Sequence, residues 1–214
     1  MTRIVGGMVC LLVLAFGAGE SQGRIVVNEV LAGPATDWDG DSSYSYRDDE
    51  WIEVYNTGGS TVDVSSYWLG DADSTLLFNL SGTLDAGAHR VVYGSDAVDW
   101  QRANGHSAVG FRLNNSGDTV ILWKVEAGSL FAATDSGAVL MDSYTYSSHE
   151  ADDDRSSGRV PDGGEAWQMF DGLNPYGGSQ EPQGNGCPPT PGTYNGCPTP
   201  VEVRSWGSVK SLYR

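Results

Sequence analysis

The stretch DDEWIEVYN, Asp48 to Asn56, sets the reading of this chain. On an extended backbone Trp51, Glu53 and Tyr55 fall on one side and Ile52, Val54 and Asn56 on the other, the period of two that marks a β-strand. The same alternation returns in TVILWK, where Thr119, Ile121 and Trp123 oppose Val120, Leu122 and Lys124. Working outward, further short bursts of Val, Ile, Tyr, Trp and Leu predict strands over Ile25 to Ala32, Thr61 to Leu69 with a turn at Ser65 and Ser66, Leu76 to Leu80, Arg90 to Gly94, Val109 to Leu113 and Val139 to Tyr146, with a weak one near Arg159. Clusters of Gly, Asn, Asp and Ser punctuate them. No segment sustains a helical period over three turns, so the pattern predicts an all-β sandwich in preference to a barrel.

At the N-terminus, Arg3 precedes an apolar run from Ile4 to Phe16, followed by the small residues Gly17, Ala18, Gly19 and Ser21. This is the pattern of a secretory signal peptide, expected over residues 1–23. The run falls short of the ~20 apolar residues that span a bilayer, so no transmembrane anchor is expected in the mature chain. Roughly 190 residues would remain, enough for one domain with a real core. The expected location is therefore secreted, extracellular or in the cell envelope. Of the three cysteines, Cys187 and Cys197 lie beyond the leader, and in an oxidising compartment they read as one disulfide. Two thiols and scattered histidines make a poor zinc site.

The formal net charge of -16 excludes nucleic acid as an expected partner, because phosphate binding needs clustered Lys and Arg. After Trp167 the hydrophobic signal fades. Residues 179–200, rich in Pro, Gly, Asn and Thr and containing both cysteines, read as a linker with a stapled turn. Residues 201–214, VEVRSWGSVKSLYR, change character again and read as a separate tail element.

Five motifs occur in an order that resembles the lamin tail domain: IVVNEVLAGP (Ile25 to Pro34), DDEWIEVYN (Asp48 to Asn56), VDVSSYWLGD (Val62 to Asp71), FRLNNSGDTVILW (Phe111 to Trp123), and MDSYTY followed by SSGRVPDGG. The resemblance, to the type found in exported bacterial chains, runs from about Arg24 to Gly178. It implies an immunoglobulin-like β-sandwich over 24–178 that serves protein interaction or attachment. The residues carry structural roles as well. Asn28 and Glu29 stand where side chains can tie a neighbouring loop. Asn114, Asn115 and Gly117 suit a turn between strands whose backbone Asp118 can bond.

The sharpest chemical pattern is DWDGDSSYSYRDDE. With Asp37 as position one, Asp37, Asp39, Asp41 and Asp48 occupy positions one, three, five and twelve of a calcium loop, with Asp49 and Glu50 beside the last. Ser43 at position seven offers a carbonyl and Ser45 at nine a water-holding hydroxyl. Ser42 stands where position six expects glycine, and a strand follows in place of a helix. Crowded carboxylates repel unless a cation offsets them, so a structural Ca²⁺ is the expected cofactor. The later acidic cluster, Glu150 with Asp152, Asp153 and Asp154, reads as a surface loop softened by Arg155 and Arg159.

No HExxH, GxSxG, P-loop or Cys-His nucleophile pattern occurs. The expected function is a non-catalytic extracellular or envelope interaction or scaffold module, with a protein or envelope component as partner. The alternatives are a carbohydrate-binding module that takes a glycan through Trp38, and a small Ca²⁺-dependent hydrolase working through paired acids.

Overall fold

The computed structural model describes residues 24–71, 76–125 and 137–197. The expected leader and the expected tail element over 201–214 lie outside the described residues. In chain order the elements are β1 (Ile25–Leu31), β2 (Trp51–Asn56), β3 (Val62–Asp63), β4 (Tyr67–Gly70), β5 (Leu76–Asn79), β6 (Thr83–Leu84), β7 (His89–Tyr93), α1 (Gly94–Ala103), β8 (Gly117–Val125), β9 (Ala138–Ser147), β10 (Ser156–Arg159) and β11 (Trp167–Phe170).

Two antiparallel sheets make an immunoglobulin-like sandwich. One has the strand order β11-β10-β1-β2-β7 and the other β5-β4-β8-β9, while β3 and β6 form a small separate pair. Strand alternation builds the core between them. Ile25, Val27, Ile52 and Val54 from the first sheet meet Leu69, Val120 and Leu122 from the second, all fully buried. Burying a side chain of this kind contributes roughly 1.5–3 kcal/mol, so this layer dominates the stability of the fold.

The first sheet is also buried on its other face, where Asn28, Glu29, Trp51 and Glu53 have no measurable exposure. Part of the cover is the described portion of the stretch expected as a linker, which packs back onto β1 and β2. Cys187 and Cys197 are disulfide-bonded with their Cα atoms 5.3 Å apart. Within the ring they close, the Thr190 N–H and hydroxyl donate to Glu29 at 3.0 and 2.8 Å, and the Gly192 N–H donates to Glu53 at 2.6 Å. Asn195 is fully buried and donates to the Asn28 carbonyl at 3.2 Å. The Gly- and Pro-rich composition that reads as a spacer serves here to present free backbone donors to buried acids.

Three further differences from the sequence reading have local causes. The helix α1 has ten residues, under three turns at about 3.6 residues per turn, too short for periodicity to reveal. It is secured at its start by the Asp96 carboxylate, which accepts the Tyr93 N–H at 3.0 Å. Val109 to Leu113 is a loop rather than a strand. Gln101, 2% exposed on α1, accepts the Val109 and Gly110 N–H groups and donates to the Gly110 carbonyl, so a side chain takes the place of a ladder. Phe111 and Leu113 still enter the core. Lastly, β11 pairs with β10 from Ser156 opposite Phe170 to Arg159 opposite Trp167, extending the sheet past the point where the hydrophobic pattern fades.

Candidate metal centre

The acidic loop joins β1 to β2 and is folded largely by its own carboxylates. Asp37 accepts the N–H groups of Gly40 at 2.8 Å and Ser42 at 2.9 Å. Asp39 accepts that of Asp41 at 3.0 Å, and Asp41 that of Ser43 at 2.7 Å. Asp49, fully buried, accepts from Trp38, Asp39 and Ser45 at 2.6, 3.1 and 2.7 Å. Ser42 adopts φ 72°, the left-handed turn that a glycine would otherwise provide at that position.

Of the six acids singled out from the sequence, the fold brings three together. Asp37, Asp39 and Asp49 each present a carboxylate oxygen, and these oxygens lie within 4.8 Å of one another. Asp41 stays exposed and outside the group. Asp48, expected to close the loop, instead pairs with Arg47 at 2.7 and 3.2 Å, and that guanidinium holds its carboxyl below the usual carboxylate range. Glu50 turns elsewhere too. Burial pushes it up to about 9, and its contact is the Leu113 N–H at 3.4 Å. Asp48 and Asp49 lie in the turn before β2, where both N–H groups bond the Ser45 carbonyl, and there Asp49 takes the loop's donors while Arg47 takes Asp48.

Trp38, expected as an exposed ligand contact, is half-buried. Its ring packs on Trp51 with centroids 6.0 Å apart, and its indole N–H donates to Asp154 at 2.7 Å. Asp154 also accepts the Ala35 N–H at 2.8 Å and the Thr36 hydroxyl at 3.3 Å, so the second acidic cluster anchors the first loop. Glu150 from the same cluster accepts from the Tyr144 hydroxyl, from Ser147 and from Ser157.

A second group of acids was not legible as a cluster from the sequence, because Glu29, Glu53 and Asp162 are far apart along the chain. Asn28 joins the last two by donating to Glu53 at 2.8 Å and to Asp162 at 3.1 Å, while its side-chain oxygen Oδ1 accepts the Gly163 N–H. Asp162 also contacts His89 Nε2 at 3.0 Å. Burial raises Glu29 and pushes Glu53 up to about 8. The available signal was the polar pair Asn28-Glu29 within an otherwise apolar strand.

Across the sandwich, Asp118 accepts the Asn114 N–H at 3.3 Å and so fixes the turn into β8, as the motif implied. A family model, the Lamin Tail Domain, matches residues 18–148. No curated protein matches significantly, and neither does any solved structure. The matched span carries both sheets of the sandwich and the acidic loop, while β10 and β11 continue the first sheet beyond it. With more than half its length matched and the sandwich in place, the chain belongs to the lamin tail domain family.

Proposed function

We propose that this chain is a non-catalytic binding or scaffold module of the extracellular space or cell envelope, with its β1–β2 loop pinned by a structural Ca²⁺. The observation that carries the cation reading is the convergence of Asp37, Asp39 and Asp49 to within 4.8 Å. Calcium takes about six to eight hard oxygens, and each carboxylate oxygen keeps lone-pair capacity beyond the backbone N–H it accepts. These three residues would hold the ion. Its chemistry there is charge neutralisation, which offsets the mutual repulsion of three close carboxylates.

Supporting the non-catalytic reading, the buried Glu29, Glu53 and Glu150 are engaged with the chain's own donors. The nearest approach to a nucleophile and base, Ser147 Oγ and His149 Nδ1 at 2.6 Å, follows the same pattern: the hydroxyl also bonds Glu150 and the second imidazole nitrogen faces the Pro182 carbonyl. Such side chains organise the fold and present surfaces. Among the described residues no helix is long and apolar enough to cross a membrane.

Calorimetric titration of Ca²⁺ into the wild type and the Asp49→Asn variant tests the reading. Saturable binding with one ion per chain is expected for the wild type, weakened at least about tenfold in the variant. Equal binding by both would place any ion elsewhere.

A further inference from the structure

A pocket of about 630 Å³ opens between the end of the acidic loop and the turn leading into β8, and its lining includes Tyr46, Arg47, Glu50, Arg112 and Asn115. Glu50 is only 3% exposed, and its Oε2 accepts one long bond from Leu113 at 3.4 Å. No described residue bonds its Oε1, so this carboxyl oxygen borders the pocket with hydrogen-bonding capacity to spare. Such a group costs stability unless a partner reaches it.

Arg112 adds an independent sign. It holds φ 60°, a left-handed conformation that is strained for a non-glycine residue. Strain of this kind persists where the surrounding structure over-determines it, and such positions cluster at ligand-binding sites. Arg112 is exposed at the pocket without an ion-pair partner among the described residues, whereas Arg47 is already held by Asp48 and the Ala108 carbonyl. Tyr46, also on the pocket wall, is 74% exposed and offers a flat apolar ring to solvent.

An exposed aromatic ring, an unpaired guanidinium and a carboxyl with a free hydrogen-bonding oxygen point to one ligand class. We propose that this pocket binds an acidic sugar residue, a uronate, with its carboxylate on Arg112, a ring hydroxyl hydrogen-bonded to the Glu50 carboxyl, and the apolar face of the pyranose against Tyr46. The guanidinium matches a carboxylate in a planar, two-pronged geometry. The pocket lies within the roughly 300–1,000 Å³ range of small-ligand sites. A neutral sugar leaves Arg112 unmatched, and a simple inorganic anion leaves Glu50 and Tyr46 unused. The site shares no residue with the Asp37, Asp39 and Asp49 group and stands separately from the calcium reading.

The test is titration of the protein with a galacturonate trisaccharide and with its methyl ester, which keeps the rings and removes the charge. Both are run in Ca²⁺ and in chelator. The acid form is expected to bind, and the ester at least about tenfold more weakly. Arg112→Gly is expected to lose about tenfold in affinity while melting at or above the wild-type temperature, because glycine accepts the left-handed backbone without strain. Tyr46→Ala, at a solvent-facing position, is expected to weaken binding and leave melting unchanged. Equal binding of acid and ester, no binding of the acid in either buffer, or wild-type affinity in Arg112→Gly would each overturn the assignment.

Discussion

Two groups of carboxylates lie at different places on the first sheet and solve the same electrostatic problem in opposite ways. On the outer face of β1 and β2, Glu29 and Glu53 are buried and matched by Thr190, Gly192, Ser156 and Asn28, which supply N–H and O–H donors directly. At the end of the same strands, Asp37, Asp39 and Asp49 bond local backbone but also converge on one another. The difference teaches that acidity alone does not mark a site. What marks it is whether the protein itself completes the environment of each acid. By that measure the outer-face acids are structural and the loop acids are the ones the proposed cation would complete.

The largest expected effect breaks the first region. Glu29→Ala removes the acceptor for Ser156 Oγ and for both donors of Thr190, leaving buried groups unpaired beneath the disulfide-closed segment. A loss of about 2–4 kcal/mol in urea unfolding is expected. A loss under about 0.5 kcal/mol would show that the stapled segment contributes little to folding.

The pH dependence of stability sharpens the same contrast. Burial holds the proton on Glu53 up to about 8, against an ordinary value of 4.5, and raises Glu29 in the same direction; Glu50 is pushed up to about 9. The native state therefore binds more protons than the unfolded chain between these values. That contribution is fully present below pH 4.5 and is lost as pH rises through about 8 to 9. Melting temperature is expected to fall from pH 5 towards pH 9, and Glu53→Gln to flatten that slope. A melting temperature that climbs over this window would contradict the burial of these acids in protonated form.

Smaller effects separate anchors from bystanders within the acidic segments. Asp154→Ala frees three donors, including the Trp38 indole, and is expected to cost about 1–2 kcal/mol while loosening the loop, read as faster amide exchange at residues 35–39. Asp41→Asn, exposed and outside the converging group, is expected to stay within about 0.5 kcal/mol of the wild type.

Much of the sandwich was legible because its strands alternate cleanly. β2 was bounded correctly, and β1, β5, β8 and β9 lie within a residue or two of their expected limits. The failures share a cause. Wherever long-range side-chain bonds replace local periodicity, the sequence offers no repeating signal. Gln101 turned an expected strand into a loop, and Glu29 and Glu53 recruited a Gly- and Pro-rich stretch as cover. At the candidate site, the spacing of acids singled out the loop in which Asp37 and Asp39 converge with Asp49. Its count put Asp48 at the closing position with Asp49 beside it, and a count of positions carries no sign of the turn in which Arg47 takes Asp48 and Asp49 joins Asp37 and Asp39.

The cation reading of that loop meets its most direct test in thermal melting with millimolar Ca²⁺ and with chelator. An ion held only by the native state raises its stability by mass action. A melting temperature several degrees higher in Ca²⁺ for the wild type, with the shift abolished in Asp49→Asn, is the expected result. An identical melting temperature in Ca²⁺ and chelator would contradict the calcium-pinned loop.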